Sequence, residues 1–296
     1  MTRDYFMEAS VDKNKLKQYF PTASLADSPQ KREGMASLSL GERFFLNLEL
    51  NSLTDRERYL LELLQENQDN IPRAPWQDFF DGQGPMPTSV GQLQVLQIKL
   101  WSNPSEEVVQ AWLEFMETLL PNLVSHYASA SDYFVFIMDQ RPFIDYQEIL
   151  RDTIGVMEYD FGIKMTAFLG QIWPGQVQEW WPDAIRAEMD LFRSWMQKNL
   201  SASFLTFSQL FFLDEAKDKA VMRILSDMIA KHEMEDVIRA LWDNGAVLTK
   251  AAQSLFVHRN TLLYRLDKWF ELTGLQLREL TDLALLYYIV ESQVLG

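Results

Sequence analysis

The stretch Val247–Phe270, VLTKAAQSLFVHRNTLLYRLDKWF, decides how the C-terminal part of this chain folds. It reads as a short helix, a tight turn and a longer helix that carries basic residues. Thr249 is a residue type suited to an N-cap, Ala251 and Ala252 are small enough for two helices to approach closely, and Leu255 and Val257 plug the angle between them. The expected unit is a helix-turn-helix.

From Arg259 onward, Leu262, Leu266, Trp269 and Phe270 recur at helical spacing and face inward, which leaves Asn260, Thr261, Tyr264, Arg265 and Lys268 on the opposite face. That outward set has the chemistry of groove reading. Arg and Lys donate to guanine edges or phosphates, Asn pairs with adenine, Thr meets a phosphate or a thymine methyl, and a helix N-terminus attracts phosphate. The plainer reading of the same spacing is an amphipathic surface helix with a solvated face. Arg259 lies nearer the inward side of the helical wheel, so a bond to a neighbouring carboxylate or carbonyl competes with a groove role. His258, at the helix start, reads either as a cap or as a packed ring. His126 and His232 are the other histidines, and no histidine metal cluster is readable.

The string VHRNTLLYRL, followed by ELTGLQL and an apolar helix, resembles the C-terminal DNA-binding domain of the PucR family, which includes purine catabolism and sugar diacid regulators. The resemblance covers residues 236–296. The T-K-A-A-x-x-L part also resembles the Fis-type helix-turn-helix, in which a glycine usually occupies the turn position held here by Phe256. The resemblance implies that His258, Arg259, Asn260 and Thr261 open the recognition helix, with Tyr264 and Arg265 one turn on. Lys250 and Lys268 complete the expected DNA-binding set, and double-stranded operator DNA is the implied partner.

Charge limits that reading. The 296 residues carry a formal charge of -15, which argues against loose nucleic-acid binding. Between Gly245 and Lys268, however, Lys250, Arg259, Arg265 and Lys268 stand against Asp267, a local +3 that leaves -18 for the rest. A monomer with so few cations binds weakly, so specific binding implies a homodimer or higher homo-oligomer on half-sites about 34 Å apart or a multiple of that.

Apolar residues make up 47% and aromatics 13% of the chain, enough for substantial cores and for two or three domains. The absence of cysteine excludes disulfides, thiolate metal sites and a cysteine nucleophile. The N-terminal MTRDYFMEASVDKNKLKQYF lacks a signal-type apolar core and no later run has the length of a membrane span, so a cytoplasmic location without membrane contact is expected.

Gly82, Gly84, Pro85, Pro87 and Gly91 crowd a boundary or exposed loop. After it the pattern runs strand (Leu93 to Trp101), helix (Ser105 to Leu120), hairpin (Ser129 to Asp139), helix (Tyr146 to Tyr159), strand (Met165 to Ile172), helix (Pro182 to Lys198) and strand (Phe204 to Gln209). This is an α/β sandwich, and its order resembles the degenerate GGDEF-like domain of many PucR-type regulators. ASDYFVFIM, Ala130 to Met138, stands where an active cyclase carries its glycine-rich hairpin. Ala130 and Ser131 replace the glycines, strand Leu93 to Trp101 offers no acid, and Asp132 stands alone. A sensor or dimerisation scaffold is therefore expected rather than a cyclase. Trp173, Trp180, Phe192, Trp181 and Trp195 read as core or subunit interface, or as the lining of an effector pocket.

Earlier in the chain, Lys13 to Tyr19 reads as a short helix, Arg43 to Leu50 as a strand, and Leu53 to Gln65 as an amphipathic helix with a Thr54–Glu57 capping box. Between Asp214 and Glu235, Val221, Ile224, Leu225, Met228 and Ile229 form an apolar stripe suited to packing on the sensor or a second subunit.

The expected architecture is an α/β (α+β) multidomain chain: an N-terminal α+β region (1–88), a GGDEF-like α/β domain (89–212), a helical connector (213–235) and an all-α helix-turn-helix domain (236–296). No Walker loop, nucleophile elbow, zincin motif or dinucleotide fingerprint appears, so no catalytic residue, metal or cofactor is assigned and no enzyme is expected. The expected function is transcription regulation, with operator DNA and a small-molecule effector as partners. The alternative is an interaction or scaffold protein that keeps the fold without binding DNA.

Overall fold

The computed structural model describes residues 19–20, 23–26, 35–39, 45–61, 73–198, 202–213 and 219–294. The expected helix Lys13 to Tyr19 lies outside these residues apart from Tyr19, as do 43–44, 62–65 and 214–218 of the other expected elements. Two compact units form, Met1–Pro72 and Arg73–Gly296.

In the first unit, strands β1 (Ser24–Ala26), β2 (Met35–Ser39) and β3 (Phe45–Glu49) make an antiparallel sheet in the order β1-β3-β2. A 3-10 turn, Leu50–Ser52, leads to helix α1 (55–61). The capping box is formed: Thr54 N donates to Glu57 Oε2 at 2.8 Å, and Glu57 N donates to Thr54 Oγ1 at 3.3 Å. Leu46, Leu48, Leu53 and Leu61 are buried together in a small core. The helix expected from Leu53 begins at residue 55, because Thr54 takes the cap.

The second unit opens with α2 (Pro75–Phe80), which buries Trp76 and Phe80. A larger sheet follows, built from β4 (Gln92–Leu100), β5 (Leu123–Ala130), β6 (Tyr133–Asp139), β7 (Met165–Leu169), β8 (Trp173–Pro174) and β9 (Phe204–Thr206). Its order is β5-β6-β4-β7-β9, with β8 paired to β4; all pairs are antiparallel except β7 with β9. Helices α3 (Glu106–Leu119) and α4 (Tyr146–Phe161) interrupt the strands, so that β4-α3-β5-β6-α4-β7 is a βαββαβ unit.

The side-chain period of two divides the strands between two cores. Leu96, Ile98, Phe134 and Phe136 face Trp112, Met116, Leu150 and Ile154 of α3 and α4. Leu93, Val95, Val135 and Ile137 lie in the other core, with Trp181, Ile185, Phe192 and Trp195 of α5 (Trp181–Gln197). Of the tryptophan cluster, Trp173, Trp181 and Trp195 are therefore core residues. Trp180 is partly exposed, with the Arg223 guanidinium 5.6 Å from its ring centroid.

Two strand expectations are corrected. The strand expected to run to Ile172 stops at Leu169, because the backbone at Gly170 turns against the Glu188 carboxylate. The strand expected to run to Gln209 stops at Thr206. Gln209 Oε1 accepts from Thr206 N at 3.0 Å, and Phe207, Leu210 and Phe211 bury at helical spacing, so α6 (Phe207–Leu213) starts there.

Helix α7 (Lys219–Lys231) buries the whole stripe Val221, Ile224, Leu225, Met228 and Ile229 inside the same unit, sharing a core with α5 and α11 (Leu280–Val294). Helices α8 (Glu235–Asp243), α9 (Leu248–Ser254) and α10 (Arg259–Thr273) complete the C-terminal bundle. No helix among the described residues is long and apolar enough to cross a membrane.

Candidate nucleic-acid interface

The pair α9 and α10 is built as the sequence implies, except at the start of α9 and in the places of two arginines on α10. Helix α9 starts after Val247, whose backbone is extended and which offers no side-chain cap; Thr249 lies within the first turn and is exposed. The preceding residues Gly245 and Ala246 both have positive φ, 62° and 61°, and this sharp turn moves the helix start ahead of Thr249. Ala251 and Ala252 are buried and let α9 approach its neighbours closely.

The turn after α9 is a Schellman motif. Val257 N donates to Ala252 O at 3.0 Å and Phe256 N donates to Gln253 O at 3.1 Å. Phe256 occupies the left-handed position, φ 55°, that glycine favours, and its side chain is 97% exposed. The glycine-type turn geometry is thus kept with a phenylalanine in it. Leu255 and Val257 are half-buried against the core, plugging the interhelical angle.

His258 caps α10: its Nδ1 accepts from Asn260 N at 3.2 Å. Leu262, Leu266 and Trp269 are buried behind the helix, while Arg259, Asn260, Thr261, Tyr264 and Lys268 are exposed in front, and Lys250 and His258 are exposed beside them. Phe270 is half-buried and meets Phe143 edge to face at 5.0 Å.

The two arginines exchange the environments read from the helical wheel. Arg259 is exposed and, among the described residues, has no ion-pair partner; Lys250 shares that condition. Arg265 is half-buried, and its Nη2 donates to Glu233 O at 2.6 Å. Lys268 is held by Glu271 at 2.6 Å, which keeps its ammonium pKa above the usual value, and it lies 5.9 Å from the Tyr264 ring centroid. Arg278 lies 3.8 Å from Asp267. The free positive charge therefore sits at the N-terminal end of α10 and on α9, where the helix dipole adds to it.

Elsewhere, Asp132 in the hairpin is paired with Lys99 at 2.5 Å. Among the described residues, no group of three or more His, Asp or Glu side chains is placed to hold a metal ion.

A buried helix with a polar front, docked through a glycine-type turn on a shorter helix, defines a helix-turn-helix domain. Residues 235–290, from α8 into α11, match the family described as the PucR C-terminal helix-turn-helix domain. The match supports a DNA-binding transcription regulator. The chain is 27% identical over 282 aligned residues to a protein named leucine-rich protein from Streptococcus dysgalactiae subsp. equisimilis, covering 92% of this chain and 97% of the relative. It is 24% identical over 187 residues to the uncharacterized protein YxkF of Bacillus subtilis (strain 168), covering 58% of this chain and 62% of that one. Among solved structures, a regulator of polyketide synthase expression from Bifidobacterium adolescentis aligns over 82% of this chain and 88% of its own, at 13% identity and a TM-score of 0.34.

Proposed function

We propose that this chain is a transcription regulator that reads operator DNA with the N-terminal half of α10. The observation that carries the reading is the exposed set Arg259, Asn260, Thr261 and Tyr264 on a helix whose opposite face is fully buried. Asn260 and Arg259 supply base-edge donors and acceptors, while Lys250, His258 and Lys268 border the helix where phosphates pass. Arg265 supports the helix from behind. With so few free cations per copy, binding as a homodimer on paired half-sites is part of the proposal.

The central domain is read as a GGDEF-like scaffold without cyclase chemistry. Its βαββαβ order, the Ala130–Ser131 pair in the hairpin and the Lys99–Asp132 ion pair support that reading. Sensing of a small effector is assigned to the N-terminal and central parts.

The test is fluorescence anisotropy of a labelled duplex from the region upstream of the gene, against a shuffled competitor near physiological salt. Wild type is expected to prefer the upstream duplex, and the Arg259→Ala, Asn260→Ala double variant to lose the preference. Equal binding of both duplexes by wild type would overturn the reading. One observation favours an interaction protein instead: the engagement of Arg265 by Glu233 and of Lys268 by Glu271 leaves an acidic chain with little free positive charge on this face. That reading gains if no salt-sensitive binding is seen.

A further inference from the structure

The C-terminal end of α10 is held by the central domain. Thr273 O accepts from Ile172 N at 3.2 Å and also from the Gln171 side-chain amide. Gly274, the left-handed C-cap at φ 70°, has its carbonyl bonded by Gln147 Nε2 at 3.1 Å, from the first turn of α4. A Cβ at Gly274 would lie 3.2 Å from Ile172 Cγ1, so the helix end is pressed against that side chain. One turn earlier, Phe270 meets Phe143.

The last carbonyls of a helix have no partner within the helix and usually turn to water or to their own cap. Here two consecutive ones are satisfied by Gln147 of α4 and by Gln171 and Ile172 beyond β7. The holding segment 170–173 is itself seated firmly. Gln171 N and Trp173 Nε1 donate to Glu188 Oε1 at 2.8 and 2.9 Å, Gln94 Nε2 donates to Gly170 O at 2.9 Å, and Gly170 N donates to Val95 O at 2.9 Å. Gly170 is required there, because a Cβ would stand 2.1 Å from Glu188 Oε2. The connection beyond α10 is tied as well: Gln276 N donates to Asp282 Oδ2 at 2.7 Å, and Ser208 Oγ of α6 donates to Asp282 Oδ1 at 2.6 Å.

We propose that Gln171 and Gln147 are positioning residues for DNA reading, setting the seat of α10 from the central sheet. The inference rests on the DNA-binding reading above. The packing of Leu262, Leu266 and Trp269 fixes which face of α10 points outward, and the two glutamines fix where its far end stands. A change in segment 170–173 then reaches Asn260 and Arg259 through one rigid helix, and operator binding stiffens the segment in return.

The experiment uses the full chain carrying Gln147→Ala, Gln171→Ala or both, with backbone amide exchange and anisotropy on the labelled upstream duplex as readouts. Exchange at 273–275 is expected to speed up by about tenfold or more while α8 is unchanged, and duplex affinity to fall about fivefold or more, within the usual range of site coupling. Urea midpoints separate this from general destabilisation, which would speed exchange in α8 as well. If the double variant does not fold, Gln147→Ala, at a half-buried position, carries the test alone. Unchanged exchange at 273–275 overturns the clamp. Faster exchange with equal or tighter duplex binding overturns the positioning role. A wild type that binds no duplex overturns the DNA reading, while exchange still decides whether the central sheet holds this helix end.

Discussion

Arg265 of the recognition helix donates to the main-chain carbonyl of Glu233, 32 residues earlier, at 2.6 Å. Glu233 has a left-handed backbone, φ 52°, in the turn between α7 and α8. Glu233 N and Met234 N bond back to Ala230 O and Ile229 O, so the Glu233 carbonyl points away from the helix and toward α10. The guanidinium is thus a strut between that turn and the recognition helix.

Arg265→Ala is expected to destabilise the chain by about 1 kcal/mol, below the roughly 1.5–3 kcal/mol of a hydrogen bond involving a charged group because the site is half-exposed. The urea midpoint should fall, and amide protection around the α7–α8 turn should weaken. An unchanged midpoint would show that the strut contributes nothing.

Phe256→Gly is expected to stabilise the fold by up to about 1 kcal/mol. A left-handed backbone costs an ordinary residue about 1–2 kcal/mol, and glycine returns part of that relief as unfolded-state entropy. The phenyl ring is 97% exposed, so little packing is lost. A lower thermal midpoint in the glycine variant would mean that the ring has a partner in solution.

Glu188 makes stability depend on pH. Burial pushes its carboxyl up to about 8, against hydrogen bonds from Gln171 N and the Trp173 indole that pull the other way. The folded chain therefore keeps this proton up to about pH 8, while the unfolded chain loses it near the usual 4.5. The stabilisation is fully present below pH 4.5 and is lost as pH rises to 8, on the order of a few kcal/mol in all. Urea midpoints of wild type and Glu188→Gln measured from pH 5 to 8 should separate as pH rises, the wild type falling relative to the variant, because the neutral amide stands in for the protonated carboxyl and does not titrate; parallel curves would show that the carboxyl does not titrate in this window.

The salt dependence of duplex binding should be shallow. With Lys250 as the free cation beside the phosphates on each copy, the slope of log K against log salt is expected near -1 per copy, following about -0.9 per neutralised phosphate. Glu271→Ala releases Lys268 and should tighten binding and steepen the slope by about 1. A slope unaffected by Glu271→Ala would place Lys268 away from the phosphates.

Leu262→Ala should cost about 2–5 kcal/mol, since the side chain is fully buried behind the recognition helix. Its urea midpoint should fall far more than that of Tyr264→Ala, whose ring is 63% exposed. Equal losses would contradict the assignment of faces on α10.

Where apolar residues repeat over a long element, sequence and structure agree closely. The stripe Val221 to Ile229, the inward set Leu262, Leu266 and Trp269, and the helices α3, α4 and α5 follow from periodicity, because burial of one face outweighs every local preference. Short elements were not legible in the same way. The strands Ser24–Ala26 and Met35–Ser39 are too brief to show alternation, and Phe207 to Gln209 reads as the end of a strand until the Gln209 cap and the burial pattern turn it into the start of a helix. Thr249 has the chemistry of a cap, yet the paired left-handed turn at Gly245 and Ala246 begins the helix earlier.

By itself the sequence determined the helix-turn-helix, the α+β character of the chain and the outward placing of Asn260, Thr261, Tyr264 and Lys268 on α10, since each depends on local spacing and side-chain chemistry. Tertiary structure alone decided which of those residues are free. A helical wheel placed Arg265 outward and Arg259 nearer the core, but the wheel carries no information about a carbonyl 32 residues away or about where Gln147 and Gln171 stand. Hydrogen-bond partners distant in sequence are set by the packing of whole elements. That packing turns Arg265 into a support and leaves Arg259 facing solvent.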